Sequence, residues 1–445
     1  MTASSGLVRS EDARDRQRSF SRPTSHRYLL KPKLPAEEPP LQLPRLPVFG
    51  WNVFRGSKDS SLPCVLDHPN LVFTRSGRAA ITLALTTMGI GRGDAVLVPT
   101  FHCPTMVSPI IANAAKPIFF PIDGTGAPRL DILSEMKLDN VRAMLVAHYF
   151  GIPQPMALIR QFCDRMGISL IEDCAHAMFG AVDGRPVGAW GDFAIASLTK
   201  FFPVTDGGCL IVNSAAVTPR LPDRRPMGDE FRCAVNAIEL GARHGKLGGL
   251  NVTLNAMFAA VNRLRPRVRS GGSSSSTERP DPSSLESLPG NSAPTAINST
   301  DASVWAKWIA RTAHRDRIVA TRRRNYRHWA NAVAAIAGAK AMLPNLGDAA
   351  APYVFPLWVE YPEASYMRIR AAGVPIFRWD EVWPGTPAID GDCGIKWAMH
   401  VFQLGCHQDL SANDVSRMTH RVHDILVATS PQQCTGVAAG AVAIR

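Results

Sequence analysis

The chain has 445 residues, 46% of them hydrophobic, and 49 Lys and Arg against 37 Asp and Glu give it a formal charge of +12. That length allows two domains with sizeable cores, and the composition is that of a globular protein. Nine cysteines with no CxxC pair argue for reduced, buried thiols over a disulfide framework, and no apolar run approaches the ~20 residues that span a bilayer.

Residues 1–48 are polar and charged, then proline-rich (KPKLPAEEPPLQLPRLP), which predicts a disordered or surface-draped arm. The first twenty residues lack the apolar core of a secretory signal, so a cytoplasmic chain is expected. Arginine-rich pieces at 9–22, 264–269 and 311–327 read as solvated tails and a solvated helix face. They carry no interleaved aromatics and no zinc spacing, so no nucleic-acid partner is expected, and no membrane partner either.

From residue 71 the apolar pattern becomes regular. A short strand meets Ser76-Gly77 and a helix follows. Ser is a good N-cap, Gly lets an anion approach the backbone, and a helix N-terminus offers free N–H groups to a phosphate. Strands are then expected at 95–98, 118–123, 140–148 and 168–171, with helices at 105–115 and 155–166 between them. Alternating strands and helices with continuous apolar strands predict a parallel sheet covered on both faces. In such sheets ligands bind at the carboxyl ends of strands. Phe101, His102, His148 and Asp173 all fall just beyond strand ends.

The densest chemistry lies at 168–213, ISLIEDCAHAMFGAVDGRPVGAWGDFAIASLTKFFPVTDGGCLIVN. A carboxylate, Asp173, closes a strand. A lysine, Lys200, follows 27 positions later in an apolar stretch ahead of Asp206-Gly207-Gly208. An acid and a desolvated lysine so placed suit a basic ring held by the acid and a carbonyl condensed with the amine. Beyond 213, helices are expected at 230–242 and 251–264. A Ser/Pro-rich linker or insert is expected at 265–302. A long helix from about 303 to 337, a strand at 350–361, a helix at 363–372 and a strand at 374–377 follow. The last helix, 412–429, is capped by Ser411 with Asp414 at N3.

The order and spacing of Ser76-Gly77, Val98-Pro-Thr-Phe101, His148 to Gly151, Ile171-Glu-Asp-Cys-Ala-His-Ala177, Ser197-Leu-Thr-Lys200, Asp206-Gly-Gly208 and Cys406-His-Gln-Asp-Leu-Ser411 resemble the DegT/DnrJ/StrS aminotransferases. The resemblance covers about 71–262 well and 303–428 more loosely. It implies the type I fold of pyridoxal-phosphate enzymes: α/β, with a large domain whose mostly parallel sheet is sandwiched by helices, and a smaller C-terminal α/β domain. The divisions are then a 1–48 arm, a cofactor-binding domain at 49–264, the 265–302 linker, a small domain at 303–430 and a 431–445 tail.

The resemblance implies pyridoxal 5'-phosphate as cofactor. It makes Lys200 the catalytic lysine, which attaches the cofactor and then moves protons, and Asp173 the partner of the ring nitrogen. Ser76, Gly77, Arg78 and Ser197 are implied for the phosphate, although the family commonly has Thr where Arg78 stands, and Arg78 either adds charge to the phosphate or faces solvent. His176 stands where the family usually has Gln beside the ring oxygen, and is either a hydrogen-bond donor there or a packing residue. An aromatic after Pro99 normally covers the ring. An ungapped match puts Cys103 there, with Phe101 and His102 adjacent, and shape favours His102. His148 is the family's strand-end histidine or a satisfied core histidine.

The implied activity moves an amino group from an amino acid, such as glutamate, to a keto sugar on a nucleotide. The implied assembly is a homodimer with shared sites. The alternatives are a regulatory protein that keeps the fold, and a related sugar dehydratase, whose members replace the lysine that this chain keeps as Lys200. Arg378, between Phe377 and Trp379, either binds an anion or packs between domains.

Overall fold

The computed structural model describes residues 38–57, 62–264 and 300–430. Most of the expected arm, most of the Ser/Pro-rich linker and the 431–445 tail lie outside the described residues. The described residues from Pro40 onward form one compact unit.

The large sheet is built from β1 (Leu71–Thr74), β2 (Ala95–Pro99), β3 (Lys116–Phe120), β4 (Val141–Ala147), β5 (Ser169–Asp173), β8 (Phe193–Ser197) and β9 (Gly208–Val212), with a small hairpin, β6 (Ala181–Val182) and β7 (Arg185–Pro186), standing apart. The strand order is β1-β9-β8-β5-β4-β2-β3. β9 runs antiparallel to both its neighbours, and every other adjacent pair is parallel. Six strands therefore end on one edge, where Ser76, Thr100, His148, Asp173 and Ser197 emerge.

α1 (Gly77–Thr87), α2 (Pro104–Ala112), α3 (Leu130–Glu135) and α4 (Met156–Met166) fill the connections. Val96, Leu97, Leu145, Ile171, Ile195 and Leu210 belong to one buried cluster. Because consecutive strand residues such as Val96 and Leu97 are all buried, both faces of the sheet are covered.

α5 (Met227–Arg243) and α6 (Leu250–Leu264) follow β9. The expected long helix at 303–337 is instead two, α7 (Val304–Thr312) and α8 (Arg315–Val333). Ala313 and His314 are extended between them, and the His314 amide donates to the Val53 carbonyl at 3.0 Å in place of a helical one. Trp305 and Trp308 lie against Phe49 and Phe54, so α7 follows the N-terminal segment.

The second sheet is antiparallel, β10 (Ala339–Ala341), β11 (Val354–Val359), β12 (Ile376–Phe377) and β13 (Val401–Gly405), in the order β10-β11-β13-β12. With α9 (Pro362–Ala371), α10 (Gly394–His400) and α11 (Ala412–Thr429) it forms the smaller C-terminal domain. Its core joins Trp329, Phe355, Leu404 and Val422. Ser411 and Asp414 cap α11 reciprocally, as their spacing predicts. Among the described residues no helix is long and apolar enough to cross a membrane.

Candidate active site

Three chain segments meet at the carboxyl edge of the large sheet. The first is the start of α1. Ser76 is its N-cap, its Oγ accepting from the Ala79 amide at 3.2 Å and keeping its own proton to donate. A Cβ added to Gly77 would lie 3.6 Å from the Ser197 Cβ, so the helix start and Ser197 face one another. Gly208 permits this closeness: a Cβ there would come within 2.4 Å of the Ser76 carbonyl carbon and 2.5 Å of the Gly77 nitrogen. Arg78 is half-buried, and its Nε is buried with no hydrogen-bond partner.

The second segment is the end of β5. Asp173 Oδ1 accepts from the Ala175 amide at 2.8 Å, and among the described residues nothing donates to Oδ2. Burial pushes this carboxyl above its ordinary range, against the pull of that amide, of Lys200 and of His148. His176 is buried, and its Nδ1 accepts from the Phe150 amide at 3.4 Å, which leaves Nε2 as the N–H of a neutral ring. Burial and then the charge of Lys200 hold its pKa well below the usual histidine range.

The third segment is the single turn after β8 that carries Lys200, half-buried. Its Nζ lies 5.3 Å from the centroid of the Tyr353 ring. Tyr353 stands 4.5 Å from the His176 ring, and Trp379 is 4.9 Å from His176 and 5.1 Å from Phe101. Ser197 Oγ is 3.2 Å from Thr199 Oγ1.

The structure thus groups Asp173, His176 and Lys200, and, at Ser197 just before the turn of Lys200, it brings up the start of α1 with Ser76, Gly77 and Arg78. It does not bring His102 to them as a covering ring. His102 is fully buried and stacks on Phe119 at 5.1 Å. Its Nδ1 bonds the Pro99 carbonyl at 2.9 Å and its Nε2 accepts from the Trp383 amide at 2.9 Å. Burial lowers its pKa to about 4. With both nitrogens spent and no exposed surface, His102 is a packing residue that anchors the 383 loop.

His148 is likewise internal. Its Nδ1 accepts from the Gln154 amide at 2.9 Å and its Nε2 donates to Glu172 Oε1 at 2.8 Å. Donor atoms of His148, Glu172 and Cys174 lie within 4.8 Å of one another, a spacing that would suit a metal. Glu172, however, already accepts from Gly188, Trp190 and Gly191 amides, and burial pushes the Cys174 thiol well up. The cluster is a closed hydrogen-bonded scaffold.

Arg378 is also taken up by packing: its side chain is buried, bonded to Glu363 and the Met399 carbonyl. Tyr353 and Trp379, which border the site from the small domain, carry no local sequence signal. Only their place beside apolar strands, Tyr353 just before β11 and Trp379 just after β12, hints at them.

The nitrogen-facing acid, the lysine and the helix start have the donor set of a ring bearing a phosphate. Buried Asp173 lacks a cation bonded at Oδ2, and the Gly77–Ser197 gap is one that a methyl group would fill. Among the described residues Arg78 Nε is left without an acceptor. These residues fit pyridoxal phosphate.

Comparison with known proteins agrees with that chemistry. The chain is 32% identical over 265 residues to a dTDP-3-amino-3,4,6-trideoxy-alpha-D-glucose transaminase of Streptomyces venezuelae, covering 57% of this chain and 65% of that one. It is 30% identical over 192 residues to an L-glutamine:scyllo-inosose aminotransferase of Streptomyces griseus, covering 42% of this chain and 45% of that one. The chain thus spans less than two thirds of either relative. In fold it is similar to the aminotransferase TlmJ from Streptoalloteichus hindustanus, with a TM-score of 0.56 at 21% identity over 81% of this chain and 86% of that one. Residues 63–265, a little under half of the chain, match the model of the DegT/DnrJ/EryC1/StrS aminotransferase family.

Proposed function

We propose that this chain is a pyridoxal-phosphate-dependent aminotransferase that takes the amino group of an amino acid, glutamate being the first candidate, and passes it to the keto group of a nucleotide-linked sugar. The observation that carries this is the buried Asp173 carboxylate, open at Oδ2, grouped with Lys200 beside the Gly77–Ser197 gap. The substrate class rests on the relatives, one of which is named for a dTDP-linked amino sugar.

When bound, pyridoxal phosphate supplies an electron-withdrawing ring and a carbonyl that exchange an amino group. The residues do the rest. The α1 N-terminus, the Ser76 and Ser197 hydroxyls and Arg78 hold the phosphate dianion with N–H and O–H donors and a positive helix end. Asp173, ionised, would pair with the ring nitrogen and hold a proton there. The Nε2–H of His176 would donate to the ring oxygen, where the family usually has a glutamine. Lys200 would attach the cofactor and, at its Nζ, hold and move a proton as general acid and base. The rings of Tyr353, Trp379 and Phe101 keep water from that path.

The same reading includes a homodimer. Met227, Phe231 and Val252, on α5 and α6, are 84%, 74% and 81% exposed, which supports a face covered by a second subunit.

The test is a visible spectrum of the full chain with pyridoxal phosphate. A bound-cofactor band that shifts on adding glutamate, and that is absent in Lys200→Ala with turnover down about a thousandfold or more, is the expected result. A chain that binds no pyridoxal phosphate would refute the reading.

A further inference from the structure

We propose that Arg322 is a positioning residue for Lys200, a buried clamp that fixes the lysine's turn against the small domain. This rests on Lys200 being the catalytic lysine.

Arg322 lies on α8 at the core-facing spacing of Ile318, Val319, Tyr326 and Trp329, and is fully buried. Among the described residues its guanidinium bonds no carboxylate. Nε donates to Gln408 Oε1 at 2.9 Å, Nη1 to the Pro352 and Tyr353 carbonyls at 3.0 and 3.1 Å, and Nη2 to the Lys200 carbonyl at 2.7 Å. Its carbon lies 4.3 Å from the Phe201 ring centroid. Gln408 Nε2 donates to the Phe201 carbonyl at 2.7 Å, so the arginine and the glutamine together hold two successive carbonyls of the lysine's turn.

That turn has need of them. Lys200 sits in one short 3-10 turn between β8 and an irregular stretch, so no strand or helix ladder takes its carbonyl or that of Phe201. Arg322 joins this turn to the backbone of Tyr353, whose ring borders both Lys200 Nζ and His176. The clamp therefore sets where the lysine amine lies relative to that aromatic wall.

Filling the space alone does not require an arginine. Burial depresses the guanidinium to about 10, which leaves it cationic at neutral pH, and a methionine of similar length would avoid that desolvation. The arginine adds a planar fork that reaches three chain segments at once, which a lysine cannot do.

The test compares the full-length wild type with Arg322→Met, Arg322→Lys and Gln408→Leu. In cofactor-free protein, amide hydrogen exchange at 198–202 is expected to accelerate about tenfold or more in the two Arg322 variants while exchange in β3 stays unchanged. Equal acceleration in both places, or none in either, would overturn the clamp. With pyridoxal phosphate and glutamate, kcat is expected to fall by about a hundredfold in Arg322→Met, with KM for glutamate within about twofold. Full kcat in Arg322→Lys would show that the fork geometry is not used and would also overturn it. Should Arg322→Met not fold, Gln408→Leu, which spares the three carbonyl bonds of the arginine, must show a smaller loss of the same kind. Borohydride reduction and mass analysis of the wild type provide a separate check. Failure to fix cofactor on Lys200 would refute the proposed function, while hydrogen exchange would still decide the clamp.

Discussion

Glu172 and Asp173 are consecutive on β5, and successive side chains leave a strand on opposite faces. Their surroundings differ in kind. Glu172 Oε1 accepts from His148 Nε2 at 2.8 Å and the Gly188 amide at 2.7 Å, and Oε2 from the Trp190 and Gly191 amides at 2.9 and 3.2 Å. Burial alone would raise this carboxyl, but the His148 bond and the amides outweigh it and hold the group below its ordinary range. Asp173 has, among the described residues, a single bond, from Ala175, and burial pushes it up. One carboxylate is satisfied by the fold. The other is left for something the fold does not contain. Charge and burial are shared, so the number of donors marks one acid as scaffold and the other as the proposed site.

Exchanging each acid for its amide tests that contrast. The largest effect is expected from Asp173→Asn, which cannot hold a proton on the ring nitrogen: turnover should drop by about a thousandfold while the cofactor-free fold survives. Comparable turnover in Asp173→Asn and wild type would remove the distinction. Next, Glu172→Gln places an NH₂ where backbone amides already donate, and should cost about 3 kcal/mol in urea unfolding, with turnover per folded molecule nearly intact. Because the folded Glu172 carboxyl is depressed, wild-type stability from this group is present above the unfolded pKa and lost as pH falls through the folded one, a loss that the glutamine variant should lack.

The smallest effect has the opposite sign. The raised Asp173 carboxyl makes the cofactor-free protein lose stability as pH rises through its folded pKa. Asp173→Asn should therefore raise the melting temperature of the cofactor-free chain by about 2 °C at neutral pH, and the gain should vanish as the medium becomes acid enough to protonate the wild type. A gain that persists in acid would point to packing instead.

Much of this site is written locally. Ser76-Gly77, Asp173, Ser197 and Lys200 stand at strand ends, and a strand end followed by a cap, an acid or a lysine can be read within a few residues. His102 could not be resolved that way, because what occupies it is Phe119 on the next strand and the Trp383 amide, 281 positions away. Trp379 and Tyr353 reach the site only through the way the second sheet meets the first. The arginine run at 311–327, expected as a solvated helix face, includes one that is not: Arg322 shares the helical face of Ile318, Val319, Tyr326 and Trp329, where a charged residue must be buried. The break at Ala313–His314 has no Gly or Pro to announce it, because a carbonyl from Val53 causes it.

The glycine pair before β9 divides two tasks. Gly207 has φ +113 and an added Cβ would meet the tip of Leu198, which can move. Gly208 needs no unusual torsion, yet its neighbours are main-chain atoms of Ser76 and Gly77, which cannot swing away. Position 208 acts as a spacer of zero thickness: the width of one methyl group there would be transmitted whole to the helix start and open the mouth of the proposed phosphate cradle. Alanine at 208 is thus a means of weakening anion grip without touching a single donor, separating how tightly the cofactor is held from what is done with it.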